Sequence, residues 1–297
     1  MKTILGVNHM WLYPEAMVNA EAHTETLKRL CANPLVDALD CWLWRGERSR
    51  EEKRILLDSG KVINYNIGDR FGEDIALPSS KNASDRQRAY DLMMREIEYG
   101  LELGTKKIVF GSGPDDPTDH KGAQQRFFEL IMKVTEQIPD GVQLAFEPTD
   151  WDIHKKFLFG PLGETVDFIN RVRASGFARI GLLIDMCHVP IIHETLESAI
   201  AKGGDVLNHV HLGNAVIKNP KSVLYGDCHP AWSYPDSEYT EDDAVRFIKM
   251  LNDIGYLNKS GSTVSFEMRP YTDMSSEDSL AKFASVWQRA LFEINKN

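Results

Sequence analysis

Short β-rich runs alternate with longer amphipathic segments eight times along the 297-residue chain, and this alternation limits the fold more than any other feature. Strands are expected at 3–9, 36–43, 62–67, 107–111, 142–147, 180–185, 206–212 and 262–267. A helix follows each. Ser84 with Gln87 reads as a capping box ahead of Ala89, Leu92, Met93, Ile97 and Leu101. Thr240 and an acidic turn precede Ala244, Phe247, Ile248 and Leu251, and Leu280, Phe283, Trp287, Leu291 and Ile294 form the last apolar stripe. Several strands are apolar on both sides of the pleat, which favours a parallel sheet covered by helices. With no linker-like stretch between units, the expectation is an α/β fold, a (β/α)8 TIM barrel, as a single domain over residues 1–297. Segments after helices are tight (33–35, 104–105, 203–204), whereas those after strands are long (68–83, 111–121, 148–162, 213–239). In a barrel all the long ones emerge at the C-terminal mouth.

Composition removes several alternatives. Hydrophobic residues at 42% and charged residues at 26% describe a folded chain, and no run approaches the ~20 apolar residues of a membrane-spanning helix. A net charge of −10 opposes a nucleic-acid partner. The first residues lack the apolar core and cleavage site of a secretory signal, and the four cysteines (Cys31, Cys41, Cys187, Cys228) form no CxxC pair, so a reducing cytoplasm is expected.

The polar residues at strand ends carry the chemistry. Strand five ends in Glu147. Strand six ends in Asp185, with His188 three residues on; strand seven holds His209 and His211 at period-two spacing; strand eight ends in Glu267, followed by Arg269. Taken singly, each has a bland explanation as a helix cap, a surface charge or a hydrogen-bonded structural histidine. Together, three carboxylates and an imidazole at one mouth repel or desolvate one another unless a cation holds them. Glu147, Asp185, His211 and Glu267 therefore form a candidate mixed oxygen/nitrogen site for a divalent metal, suited to Mn, Mg, Co or Zn. His9 after strand one, and Asp227 and His229 in the 226–230 segment, are further candidates. Trp11, Trp42, Trp44, Trp151 and Trp232 lie in or near the strand-end loops, where aromatic faces stack on sugar rings or pack under helices.

The order Phe-Glu-Pro at 146–148, Asp-x-x-His at 185–188, His-x-His at 209–211 and Phe-Glu at 266–267 resembles the xylose isomerase-like TIM-barrel superfamily, in particular its sugar (phosphate) isomerase/epimerase branch related to ketose 3-epimerases. The resemblance implies that Glu147, Asp185, His211 and Glu267 bind Mn or a similar ion. It further implies that Glu147 and Glu267 exchange protons with substrate carbon, and that His188 supports the substrate or the metal-bound oxygen. Substrate contacts are then expected from His9, His188, His229, Arg269 and Trp11. One departure is that the epimerase relatives carry an Arg six positions after the ligand His, where this chain has Ile217; Arg269, Lys218 and His229 are the candidate replacements.

Three other functions share these features. A lyase or deglycosidase acting on 3-keto-glycosides uses the same proton abstraction followed by elimination. Apurinic endonucleases of the superfamily have counterparts of Glu147, Asp185, His188, His211, Asp227, His229 and Glu267, but add histidines at the ends of strands three and four, where this chain has Asn64-Tyr65-Asn66 and Val109-Phe110-Gly111. A non-catalytic binding module has no need of paired carboxylates at a metal. The expected partner is a small-molecule sugar, without nucleic acid or membrane; a homo-oligomer or partner subunit is compatible with the fold. No glycine-rich phosphate cradle stands out, Gly111-Ser112-Gly113 being at most a weak one, and this slightly favours an unphosphorylated sugar.

Overall fold

The computed structural model describes residues 3–296 apart from 69, 74 and 75, so part of the expected 68–83 loop lies outside the described residues. Among those residues, eight strands run parallel: β1 (Ile4–Asn8), β2 (Ala38–Cys41), β3 (Val62–Asn66), β4 (Lys107–Phe110), β5 (Gln143–Phe146), β6 (Ile180–Asp185), β7 (Leu207–Leu212) and β8 (Thr263–Phe266). They pair in sequence order and close into a barrel through β1 against β8. The expected (β/α)8 TIM barrel is thus the observed fold.

The covering helices are α2 (Ala20–Ala32), α3 (Arg48–Ser59), α5 (Ala83–Glu102), α6 (His120–Thr135), α7 (Leu162–Ala174), α9 (Leu196–Gly203), α10 (Glu241–Asp253) and α11 (Ser276–Ile294). Three short ones, α1 (His9–Leu12), α4 (Arg70–Glu73) and α8 (His188–Ile191), belong to the loops that leave β1, β3 and β6 at the mouth. The capping of α10 is as the sequence suggests, with Thr240 and Asp243 each bonded to the other's backbone. At α5 the cap is Asn82, whose side chain accepts from the Ser84 amide, so Ser84 lies inside the helix rather than ahead of it. None of the helices among the described residues is long and apolar enough to cross a membrane.

The period-two pleat divides the barrel residues into two layers. Val7, Leu39, Ile108, Phe110, Leu144, Phe146, Ile184, Val210 and Phe266 join the large apolar layer between strands and helices. On the inner side only Val109, Ala145 and Leu183 form an apolar cluster. Apart from the small Gly6, Ala38 and Gly181, the rest of the described lumen is polar, in contrast to the branched aliphatic layers that fill most such barrels. Asp40 on β2 reaches His209 on β7, and Lys107 on β4 reaches Thr263 on β8; these strand pairs are not neighbours, so both contacts cross the interior.

Candidate metal centre

Backbone ladders set the four strand-end residues. The Glu147 amide donates to Phe110 O at 2.9 Å and the Glu267 amide to Leu212 O at 2.9 Å, extending β5 and β8 by one residue, while Asp185 and His211 are in register on β6 and β7. One ligand atom from each of Glu147, Asp185, His211 and Glu267 then lies within 4.8 Å of the other three, and all four residues are buried. Glu147 Oε1, Asp185 Oδ2, His211 Nδ1 and Glu267 Oε2 are buried atoms without a well-formed hydrogen bond. Leaving such atoms unsatisfied costs on the order of 1–3 kcal/mol per group, and the one close contact among them, His211 Nδ1 against Glu267 Oε2, leaves the Glu147 and Asp185 oxygens to be collected by a cation. Oxygen-rich donors with one imidazole fit a divalent ion of intermediate hardness.

The electrostatics point the same way. Burial raises the Asp185 carboxyl, and nearby Glu267 adds to the effect against the opposing pull of His188. Burial also opposes charge on Glu267, but His211 and His229 outweigh it and hold this carboxyl below its ordinary range. The two carboxyls cannot both carry charge comfortably without a counter-cation.

Around the quartet, His188 lies 3.4 Å from Glu147 Oε1 through Nδ1, and its Nε2 is 3.4 Å from Asp185 and 3.3 Å from Asp227. Burial disfavours its protonation, yet Asp185 and Asp227 overcome this and raise it to about 10. His229 stands in the left-handed region (φ 49), a conformation that costs a non-glycine residue energy. Its Nδ1 donates to Glu267 O at 2.9 Å and its Nε2 lies 2.7 Å from Asp227 Oδ1. Trp11 stacks on the His229 ring with centroids 4.1 Å apart.

These residues line one cleft at the mouth. Glu147, Glu267, His188, His229 and Trp11 face it together with Asn8, Met10, Trp42, Asn66, Arg70, Lys155 and Phe157. His9 does not. The pleat that turns Asn8 inward turns His9 outward, where its Nε2 bonds Thr26 Oγ1 at 2.8 Å and its ring packs edge-on to His23. Arg269 also stays off the cleft wall, its guanidinium over Trp11 and its Nε donating to Cys228 O at 2.8 Å. Ile217 packs on the apolar layer and Lys218 is an exposed ion pair with Glu238, so neither lines the cleft.

The cations that do face the cleft, Arg70 and Lys155, come from loops whose sequence carries no periodic signal. Arg70 stacks on Trp42 and donates to Leu43 O. Lys155 is presented by a turn in which the Asp150 carboxylate accepts amides 153 to 156, and its Nζ sits 2.8 Å from Asp227. Of the other tryptophans, Trp44 packs on Trp42, Trp151 is 45% exposed, and Trp232 is buried against Phe266 and Phe283.

The family model described as xylose isomerase-like TIM barrel matches residues 47–290. The chain belongs to this family. No curated protein sequence matches it. Among solved structures, the xylose isomerase-like barrel is similar to a D-psicose 3-epimerase from Clostridium cellulolyticum H10, with 17% identity, TM-score 0.66 and coverage of 98% of this chain and 99% of that one. An AP endonuclease, family 2, from Brucella melitensis gives 19%, 0.68, and 96% and 99%. A 3-keto-D-glucoside 4-epimerase from E. coli gives 14%, 0.66, and 97% and 100%. At these identities the likeness is one of fold, and the choice of chemistry rests on the site.

Proposed function

We propose that this family member is a divalent-metal-dependent isomerase or epimerase that moves a proton at the carbon beside the carbonyl of a sugar or sugar derivative. The observation that carries the reading is the buried Glu147, Asp185, His211 and Glu267 cluster, with both glutamates opening onto the cleft. A bound divalent ion, with Mn the first choice and Mg, Co or Zn as alternatives, supplies Lewis-acid polarisation of the carbonyl and so acidifies the adjacent C–H.

The chain's own groups perform the rest. Glu147 and Glu267 come from β5 and β8, three strands apart, so one carboxylate takes the proton from one face of the carbon and the other returns it to the opposite face. His188, within 3.4 Å of Glu147, steadies that carboxylate and offers a donor to a substrate oxygen. Asn8 fixes the other glutamate. Trp11, Trp42, Met10 and Phe157 provide the apolar wall against which a sugar ring stacks and from which water is displaced. Relatives of similar fold include two sugar epimerases, which supports the sugar class.

The endonuclease alternative loses support at the mouth, because β3 and β4 contribute Asn66 and Gly111 to the cleft rather than imidazoles. His120 bonds Asp115 and Glu164 on the outer side. The elimination reading keeps one specific observation in its favour, an apolar cleft wall of Met10, Trp11, Trp42 and Phe157 beside which an aryl leaving group fits. NMR of the Mn-loaded protein in D2O with free ketoses, ketose phosphates and 3-keto-glycosides decides. Deuterium at the carbon beside the carbonyl of an intact sugar is expected. Release of an aglycone selects the lyase, and no exchange by protein with metal bound removes proton abstraction altogether.

A further inference from the structure

The lumen beneath the metal centre holds a chain of hydrogen bonds with a fixed direction. Lys107 Nζ, which has donors only, donates to Thr263 Oγ1 at 2.8 Å. The Thr263 hydroxyl, 2.6 Å from His209 Nδ1, donates to that nitrogen because the His209 ring proton is taken at Nε2 by the Asp40 carboxylate. His209 is left with its proton on Nε2, which donates to Asp40 Oδ1 at 2.7 Å. His211 Nε2 lies 3.1 Å from His209 Nε2 and 3.2 Å from the same Asp40 oxygen; with the His209 proton directed along its shorter 2.7 Å contact to Asp40, that oxygen accepts from His211 Nε2 as well, and Asp40 Oδ2 accepts from Asn64 Nδ2 at 3.1 Å and from Ser265 Oγ. All of these residues are buried, and the Asp40 carboxylate has its acceptor positions filled by four donors.

Ser265 reaches Asp40 only because β1 carries Gly6 alongside. A Cβ at that position would stand 2.5 Å from Ser265 Oγ.

We infer that Asp40 is the positioning residue of the metal centre: by accepting the Nε2 proton of His211 it turns the Nδ1 lone pair upward as the ligand atom. The inference rests on the metal reading of the quartet and adds to it a residue that touches neither cleft nor substrate. A ligating histidine whose second nitrogen is held by a carboxylate has its tautomer and ring angle set before the metal arrives, and loss of such a partner typically weakens metal affinity about 10–100-fold.

Two measurements test it. Mn2+ titration followed by EPR should show Asp40→Asn, with a circular dichroism spectrum matching the parent, binding about 10–100-fold more weakly. Histidine 15N NMR of the Zn2+-loaded parent should show His211 protonated on Nε2 and metal-shifted on Nδ1, and needs no variant to fold. Parent-like Mn2+ affinity in Asp40→Asn, or a His211 proton on Nδ1 in the Zn2+ form, overturns the inference while leaving the metal centre standing. A parent protein that takes up neither ion overturns the proposed function and the inference with it.

Discussion

Asn8 Nδ2 donates a 2.6 Å hydrogen bond to Glu267 Oε1 across the seam where β1 closes on β8, so one oxygen of the proposed acid/base is spoken for and the other, Oε2, turns toward His211. Asn8 is itself fixed, because its Oδ1 accepts the Met10 amide and caps α1. Replacing it with alanine frees the carboxylate to rotate and leaves a buried oxygen without its donor. The expected result is a roughly 10–100-fold loss in kcat, since a hydrogen bond to a charged group contributes about 1.5–3 kcal/mol. Steady-state kinetics on whichever sugar shows exchange checks this, and an unchanged kcat removes Asn8 from the catalytic arrangement.

Glu267→Gln keeps the shape and an oxygen for Asn8 to bond while deleting the proton acceptor. Turnover should fall at least about 100-fold, the lower end of what general acid–base groups contribute, with the melting curve otherwise that of a folded barrel. A fully active variant would mean that Glu267 neither takes nor returns the proton.

Metal removal should be visible without any substrate. If Mn2+ is present at about a hundred times its Kd, binding adds about 2.7 kcal/mol to stability, which for a chain of this size raises the melting temperature by about 4 °C. EDTA should abolish that increment, and His211→Ala should show none to begin with. A metal-induced rise that persists in His211→Ala excludes that imidazole from the ligand set.

Lys107 gives a pH dependence of known sign. Burial lowers its ammonium from the usual 10.5 to about 8, against a smaller opposing pull from Asp40. Between those values the unfolded chain binds the extra proton, so stability contributed by this residue rises as pH climbs from about 8 to 10.5, and the full penalty applies below 8. Relative to Lys107→Met, the parent should gain on the order of 3 kcal/mol over that window in urea melts. Parallel pH profiles for the two proteins would show that the buried ammonium keeps its ordinary affinity for the proton.

The strands, their order and the mouth quartet were legible because each rests on period-two patterning with a polar residue at the end of an apolar run. The same patterning, applied one residue more finely, distinguishes Asn8 from His9: β1 faces inward at Gly6 and Asn8, and His9 falls on the helix side. Asp40 left almost no signal, since a single acid in Ala38-Leu39-Asp40-Cys41 reads as a short strand's surface charge until the partner strand that buries it is known. Arg70 and Lys155 were invisible for a different reason. They are delivered by irregular loops, and in the second case by an aspartate that gathers four amides, a geometry that spacing along the chain does not encode.

The polar lumen ties the first half of the chain to the second. Asp40 finds His209 and His211, and Lys107 finds Asn208 O, only with β7, and Ser265 and Thr263 Oγ1 join them only with the last strand. During synthesis a nascent chain that ends after β5 has an aspartate and a lysine on an open sheet with no interior to enter, and water is the better solvent for both. The barrel therefore has no self-sufficient half: emergence of β7 and β8 from the ribosome makes burial of these charges favourable, and a fragment or a split gene product should remain open until its complement arrives.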